Sequence, residues 1–279
     1  MTSISGPNAL RQGSCFVPLF AIAFPNIDPV IIHLGPLAIR WYALAYIAGL
    51  LLGWRLARRL VRREGWLPTE EQVDDLLFYA TLGVIIGGRM GFVIFYHPVY
   101  FLQNPLQILA VWQGGMSFHG GLIGVITAVF IFARQSRLPV LELLDVAAVV
   151  TPIGLFFGRI ANFINGELWG RVSDVPWAMV FPTGGPEPRH PSQLYQAMLE
   201  GVVLFAVMFA LSRRPRIEKE RGLLSGAFLI GYAVARTIGE LFRQPDAHLG
   251  FLFGFITMGQ LLSIPMLLLG LFLVRRALR

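Results

Sequence analysis

The sequence is short of charge, of lysine and of cysteine. Only 14% of its 279 residues are Asp, Glu, Lys or Arg, whereas an ordinary soluble domain carries about 25%, and 55% are hydrophobic. The mean hydropathy is +0.64. No long polar stretch interrupts the apolar sequence, so there is no room for a separate soluble domain. This balance excludes a soluble globular protein and predicts a polytopic membrane protein in a lipid bilayer.

Cysteine and lysine each occur once, as Cys15 and Lys219. A single cysteine excludes an intramolecular disulfide and a cysteine-rich metal site. We see no basic partner that would activate Cys15, so we predict no catalytic role for it. The net charge of +7 would suggest nucleic acid in a soluble protein. In a membrane protein the placement of the charges matters more than their sum, and we expect no nucleic-acid partner.

The apolar segments have the length of membrane-spanning helices, about 20 residues each. We predict seven, at roughly 36–56, 74–96, 118–135, 142–162, 192–212, 222–242 and 253–274. The fold class is therefore an all-α bundle of seven transmembrane helices, with the bundle domain at 34–279 and a small irregular loop region on one face. Residues 1–33 lack the pattern of a signal peptide and are predicted to be an outer segment, in which FVPLFAIAF is too short for a span but compatible with the membrane interface.

The basic residues predict the orientation of the bundle. Fifteen of the 23 lie in four segments on one side of the seven-span arrangement: Arg55, Arg58, Arg59, Arg62 and Arg63; Arg134 and Arg137; Arg213, Arg214, Arg216, Lys219 and Arg221; Arg275, Arg276 and Arg279. The positive-inside rule makes that side cytoplasmic. The N-terminus is then outside and the C-terminus cytoplasmic.

Five arginines contradict this rule because they lie within spans or at their outer ends: Arg40, Arg89, Arg159, Arg236 and Arg243. An ionisable group inside a span is a functional-site hypothesis by default. The glycines of GVIIGGRMG, in contrast, recur every four residues at Gly83, Gly87 and Gly91, which favours close helix packing over chemistry.

Polar residues from distant parts of the chain converge on the outer face in this arrangement. They form five groups: Arg40 with Trp41 and Tyr42; His119 with Gly120 and Gly121; Arg159, Asn162, Asn165 and Glu167; His190 to Gln193; Glu240, Arg243 and Asp246. The long loop from 163 to 191 joins two of them. Arginines at headgroup depth are suited to bidentate phosphate binding, so the set indicates a phospholipid headgroup as ligand.

Each residue also has a structural alternative. Arg40 and Arg243 can snorkel to the headgroups, and Glu240 can neutralise Arg243 or Arg236. Arg159 and Asn162 share a helix face and can belong to a buried polar network or a helix cap.

The histidines and the aromatic pair leave similar choices open. His119 can be structural or a general base, and His190 before Pro191 can simply cap the fifth span. Tyr42 can line a headgroup pocket or belong, with Trp41, to an aromatic belt.

The stretch GRIANFINGELWG, from Gly158 to Gly170, resembles the signature of the bacterial prolipoprotein diacylglyceryl transferase family. HGGL from His119, HPSQLY from His190, FRQPD from Phe242, MGQLLS from Met258 and RWY from Arg40 are similar to further motifs of that family. The resemblance covers roughly residues 34 to 276. It implies seven spans with an outer N-terminus, no metal or organic cofactor, and transfer of a diacylglyceryl group from phosphatidylglycerol to the lipobox cysteine of a prolipoprotein in the bacterial cytoplasmic membrane.

The resemblance and the polar groups together give the expected site residues. We expect His119, Arg159 and Arg243 to be catalytic, and the substrate to contact Arg159, Asn162, Tyr42, Asn165, Glu167, Gly170 and Glu240. His119 would accept the thiol proton or orient the sulfur, and Arg159 and Arg243 would clamp the phosphate. We expect Gly170 to permit a turn in the loop.

Two positions depart from the family pattern, which reads HPSQLYE and FREPD. This chain has Gln196 and Gln244 at the places of the two glutamates, so any role that needs a carboxylate there is in doubt. A transporter and a non-catalytic lipid-binding scaffold are the rival hypotheses. A transporter would have polar residues through the whole depth of the membrane, whereas in this chain only Arg89 lies outside the polar groups of the outer face. A scaffold would not need His119.

Overall fold

A computed structural model of the protein describes residues 22–279, with gaps at 26, 35–36, 216, 246–249 and 253. Cys15, Asp246 and most of the predicted interfacial stretch lie outside the described residues. The division at residue 33 into an outer segment and a bundle domain stays a prediction.

Long helices dominate the described chain. They are α1 (Trp41–Val61), α2 (Glu70–Phe95), α4 (Phe118–Gln135), α5 (Val140–Ile164), a composite helix of α6 (Ser192–Gln196), a π-helical segment (Ala197–Val203) and α7 (Leu204–Ser212), then α8 (Leu223–Phe242) and α9 (Met258–Ala277); α3 (Pro98–Gln103) is short. Each long helix corresponds to one predicted span. The first begins later than predicted, because residues 37–40 form a strand instead.

Five of these helices have the length and hydropathy of membrane spans: α2, α4, α5, the composite helix and α9. The protein is therefore a multi-pass helical membrane protein. The other two long helices carry charge, with Arg55, Arg58 and Arg59 in α1 and Arg236 and Glu240 in α8, and charged side chains lower hydropathy.

The helices pack chiefly as three pairs, α2 with α4, α1 with α5, and α8 with α9. In the first pair the prediction for the glycines is confirmed, because a Cβ added to Gly87 would lie 2.4 Å from the Gly120 carbonyl oxygen and one added to Gly83 would lie 2.6 Å from that of Gly124. Gly120 thus serves the contact between two helix backbones.

The helix starts at the arginine-rich end of the bundle are held by buried carboxylates of α5. Asp145 accepts from the backbone N–H groups of Gly222 and Ser225 at 2.6 and 2.7 Å, and thereby caps α8 from a neighbouring helix. Glu142 accepts from the Leu67 N–H at 2.7 Å and fixes the loop before α2. Carboxylates at these places satisfy backbone donors that the helices themselves leave open.

Short strands at the opposite end make the fold not strictly all-α. Strands β2 (Val30–Leu34) and β3 (Leu37–Arg40) form an antiparallel hairpin that leads directly into α1. Strand β1 (Ile22–Ala23) pairs in parallel with β4 (Met179–Val180) of the long loop. The short extended piece predicted within VPWAMVFP is confirmed by β4. The hairpin strands were not predicted, because they are too short for a period-2 pattern to show in the sequence.

Candidate functional site

Five charged side chains form one continuous chain where the C-terminal ends of α5 and α8 meet the composite helix. The order is Arg159, Glu200, Arg236, Glu240, Arg243, so the signs alternate. Arg159 donates from Nε and Nη2 to Glu200 Oε2 at 3.0 and 2.9 Å. Arg236 bridges the two glutamates, with Nη1 3.6 Å from Glu200 Oε1 and Nη2 2.7 Å from Glu240 Oε1. We call these five residues the charge network.

The charge network is almost withdrawn from solvent. The Glu200 side chain is 0% exposed and that of Arg159 only 14%. Burying a charge costs much free energy unless it is paired, and in this network each carboxylate contacts two guanidinium groups. The alternative that Glu240 neutralises Arg243 or Arg236 is confirmed, since it pairs with both.

Glu200 is the site residue that the sequence analysis missed. A signal was available, because it is the only acidic residue in the apolar run of the fifth predicted span. It lies in the π-helical segment, a rare conformation that is frequent at functional sites. Gly201 beside it allows α5 to come close, since a Cβ there would lie 2.7 Å from Phe156 Cβ.

The turn after α5 holds the next polar group. Glu167 accepts from the Asn162 side-chain amide at 2.7 Å and from that of Asn165 at 3.4 Å, so the structure brings these three predicted residues together. The turn needs two left-handed residues, Gly166 at φ 64° and Leu168 at φ 58°. A non-glycine residue in this conformation is strained and must be held by its surroundings.

Two buried side chains of α6 hold that turn. Ser192 donates to the Leu168 carbonyl at 2.9 Å, and Gln193 donates to the Glu167 carbonyl at 2.7 Å. The Ser-Gln of the HPSQ motif therefore fixes the backbone on which Glu167 stands.

Gly170 lies where three stretches of backbone meet. A Cβ there would lie 2.5 Å from the His190 carbonyl oxygen and 2.6 Å from that of Phe242, and the residue forms a β-bridge with Arg243. Its φ is not left-handed. The expectation of a turn is therefore wrong, and the glycine is required by close approach.

Tyr42 is brought to the same place from α1. It is the second residue of that helix, and the charges of Glu167 and Arg159 both act on its hydroxyl. Tyr232 of α8 also lies beside Arg159. Tyr42 is 38% exposed.

His119 is not brought together with the charge network by any contact among the described residues. It is exposed on the second position of α4, and its ring centroid lies 5.7 Å from that of Phe118. Its position is therefore set by the backbone of α4.

His190 has a different role from the one considered. It does not cap α6 through its side chain. Instead its Nδ1 lies 3.1 Å from the Tyr195 hydroxyl, which accepts from Trp177 Nε1 at 2.5 Å. Burial lowers the pKa of His190, and the nearby positive charge of Arg171 lowers it further.

The two departures from the family pattern lie in different surroundings. Gln196 is fully buried, and its amide atoms have no hydrogen-bond partner among the described residues. It packs against Gly239, where an added Cβ would lie 3.0 Å from Gln196 Cγ. Gln244 is exposed, and its backbone N–H donates to the Trp169 carbonyl at 3.3 Å.

In the part of the chain that the structure describes, no group of three or more His, Cys, Asp or Glu side chains could hold a metal ion. The expected independence from cofactors stays a prediction.

The fold and the site together define a multi-pass membrane protein with a buried, charged centre at one end of its helix bundle. Residues 29–276 match the family model described as prolipoprotein diacylglyceryl transferase. The chain belongs to that family, and the resemblance seen in the sequence is confirmed. It is accordingly a transferase.

Curated relatives agree over nearly the whole chain, and all bear the name phosphatidylglycerol–prolipoprotein diacylglyceryl transferase. The relative from Paramagnetospirillum magneticum is 61% identical over 93% of this chain and 97% of its own length. That from Rhodospirillum rubrum is 58% identical over 91% and 93%, and that from Gluconacetobacter diazotrophicus is 57% identical over 92% of each chain.

Proposed function

We propose that this protein transfers the diacylglyceryl group of phosphatidylglycerol to the sulfhydryl of the lipobox cysteine in a prolipoprotein signal peptide. A thioether forms and glycerol 1-phosphate leaves, as the first step of bacterial lipoprotein maturation. The observation that carries the proposal is the charge network, next to the Asn162–Glu167 turn, in a chain of this transferase family.

The protein lies in the bacterial cytoplasmic membrane with seven spans, its N-terminus outside, its C-terminus cytoplasmic and its active site toward the outer face. The support is the distribution of basic residues, since Arg62, Arg134, Arg213 and Arg275 represent four groups at the same end of the bundle. The charge network lies at the other end of the bundle, which this orientation assigns to the outer face.

The phosphate binds at the charge network. Arg159 and Arg243 end the chain of alternating charges, and each keeps its guanidinium beside a single glutamate of the network. The carboxylates hold the arginines in place before the lipid arrives, so that stabilising the phosphate needs little reorganisation. Charge that develops on the departing glycerol phosphate is then neutralised where it forms.

The reaction is a displacement at an sp3 carbon. The cysteine sulfur forms a C–S bond to the glyceryl carbon, the C–O bond to the phosphate breaks with its electron pair on oxygen, and the thiol proton passes to a base. A free thiol has a pKa of about 8.5 and needs help to ionise at neutral pH. His119 is that base or orients the sulfur, and it acts on the end of the reacting system away from the phosphate.

The remaining residues bind and orient the lipid. Asn162 and Asn165 hydrogen-bond the headgroup glycerol, and Glu167 fixes both amides. Glu240 positions arginines and moves no proton. Tyr42 lines the headgroup pocket, and Gly170 lets the strand after the turn approach the end of α8.

The test uses purified protein in detergent with phosphatidylglycerol and a lipobox peptide. Release of glycerol phosphate is measured, with a Cys→Ser peptide as the matched control. Release that depends on the cysteine supports the transferase. Binding of the lipid with no release supports the scaffold instead, and flux of a solute through vesicles supports a transporter.

A further inference from the structure

Arg89 is a buried charge that the proposed mechanism does not use. It lies near the end of α2, is 5% exposed, and has no carboxylate partner among the described residues. It donates to four backbone carbonyls, those of Gln107 at 2.6 Å, Ile108 at 2.8 Å, Gly114 at 2.6 Å and Gly115 at 3.2 Å. A buried guanidinium needs such acceptors, and here they all belong to one connection.

That connection joins α2 to α4. It contains α3 and two short 3₁₀ turns at Pro105–Leu109 and Val111–Gln113. Several of its apolar side chains are exposed, as Leu102 and Leu106 at 82% show, whereas Phe101 and Ala110 are buried. Its carbonyls face inward onto Arg89, whose guanidinium also lies 5.1 Å from the Phe101 ring centroid. The side chain of Arg89 and the aromatic rings around it therefore lie at the centre of the connection.

The two glycines of the connection are shaped for this contact. Gly114 has φ 85° and Gly115 has φ 80°, so both are left-handed, and both carbonyls turn toward the Arg89 Nη1. A Cβ on Gly115 would lie 2.5 Å from the Phe92 ring. Other residues in this conformation would be strained, so glycine at both positions allows the two carbonyls to point at one donor, Arg89 Nη1.

The connection ends two residues later at the start of α4. Ser117 donates its backbone N–H to the Gly88 carbonyl at 2.8 Å, and its hydroxyl caps α4 by accepting from the Gly120 N–H at 3.2 Å. His119 is the second residue of this helix, and its exposed side chain lies beside that of Phe118. The contacts that hold the connection in place therefore also help to hold the backbone that carries the imidazole.

We propose that Arg89 is a positioning residue for His119: by gathering four carbonyls of the connection it sets where α4 begins and where the imidazole stands. The inference rests on the proposed role of His119 in the transfer reaction. Arg89 itself touches neither substrate nor reacting atoms.

The experiment is a double-mutant cycle of Arg89→Lys and His119→Gln in the full-length protein. Lysine keeps the charge but cannot serve four carbonyls in a fixed fork. Because small displacements of a catalytic group are costly, we expect R89K to lower kcat about tenfold with the KM for phosphatidylglycerol unchanged within about twofold. In the H119Q background the same change should alter kcat less than about twofold, since the effects of coupled residues do not add.

A second readout does not need activity. The ring resonances of the five histidines are recorded by NMR, and that of His119 is assigned by its loss in H119Q. R89K should shift this resonance. The matched control is Arg189→Lys, because Arg189 also donates to a backbone carbonyl, that of Gly184 at 2.8 Å, and stacks on Trp169, but lies in the other outer loop. It should leave the resonance in place.

Gly114→Ala provides a milder route if R89K does not fold. It strains one of the two carbonyls nearest Arg89 without touching the guanidinium, and no atom lies within 4 Å of the added Cβ. The same selective loss of kcat is expected. An equal loss in both backgrounds, or an unmoved His119 resonance in R89K and G114A, overturns the inference while leaving the transferase intact. Absence of transfer by the wild-type protein overturns the proposed function itself.

Discussion

Arg159, which is partly buried, and Arg89, which is fully buried, lie near the same end of the bundle, but their charges are compensated in different ways. Arg159 lies against the carboxylate of Glu200, within a chain of five alternating charges. Arg89 lies against neutral carbonyls and aromatic rings. A carboxylate binds a guanidinium by its negative charge, and a phosphate can replace that carboxylate or bind the same guanidinium beside it. Backbone carbonyls bind the guanidinium too, but in doing so they fix the position of their own segment of chain.

The difference teaches what to expect of each arginine. A residue in the charge network is expected to contact the ligand, and its removal should affect the reaction directly. A residue that collects carbonyls is expected to shape the backbone, and its removal should act through whatever that backbone carries. The contact partners thus predict which arginines bind the ligand and which position the backbone, a distinction that sequence position alone cannot make.

Removal of Arg159 should have the largest effect. We expect Arg159→Ala to lower turnover about 10³-fold, because one preorganised stabiliser of developing charge is lost. The bundle should remain folded, since Glu200 keeps Arg236 as a partner at 3.6 Å. Glycerol phosphate release and thermal unfolding in detergent measure the two quantities. Wild-type turnover in this variant would show that Arg159 does not stabilise the reacting phosphate and, like Arg89, has a structural role.

Arg159→Lys sharpens the same point. Lysine supplies the charge but no fork, so an intermediate rate is expected if the phosphate is held bidentately.

Glu200→Gln tests the carboxylate side of the comparison. The two guanidinium groups of Arg159 and Arg236 would then face each other without the buried negative charge, and breaking a buried pair costs about 3–5 kcal/mol. We expect a marked fall in unfolding temperature together with slower transfer. Glu187→Gln is the control, because that glutamate is 60% exposed and 4.0 Å from Arg189. An exposed pair contributes about 0–1 kcal/mol, so equal effects of the two variants would contradict the network.

Gly170→Ala tests whether the close approach of two backbone segments matters for transfer as much as the charges of the network do. The added Cβ would meet two carbonyl oxygens at 2.5 and 2.6 Å, so the end of α8 must move away from the loop. We expect a loss of stability of about 1–3 kcal/mol from overpacking, with slower transfer because Arg243 moves with the bridge. Gly158→Ala, in the same motif, has nothing within 4 Å of its Cβ and should be neutral.

His190 gives the smallest expected effect. Its pKa is lowered because burial and Arg171 disfavour its protonated form. The unfolded chain therefore binds a proton more readily than the folded one, and stability should fall as the pH drops below about 6.5, the ordinary pKa of histidine. Unfolding temperature against pH measures this slope. His190→Gln should reduce the slope, whereas His33→Gln, at an exposed position of β2, should keep it.

The long helices could be predicted from the sequence because bilayer thickness sets their length. The runs at 118–135 and 192–212 have the predicted bounds. The start of the first span was wrong, since residues 37–40 are apolar enough for a helix but pair with β2. Hydropathy does not distinguish an apolar strand from an apolar helix over four residues.

The site was predicted in part. Asn162, Asn165 and Glu167 belong together because they are close in the chain, and Arg159, Glu240 and Arg243 because charge in a span is costly. Glu200 and the links through Arg236 emerge only when the composite helix and α8 face each other. His119 stands apart from that network, although its depth suggested a common site.

The sequence by itself determined the bilayer as solvent, the helical bundle and the family, because apolar length, arginine placement and a contiguous motif are all local properties. The tertiary structure decided which charges pair and that Gly170 allows a close approach of backbone segments. It also decided that Arg89 donates to the carbonyls of one connection. Such partners come from segments far apart in the chain, and only packing brings their atoms within hydrogen-bond distance.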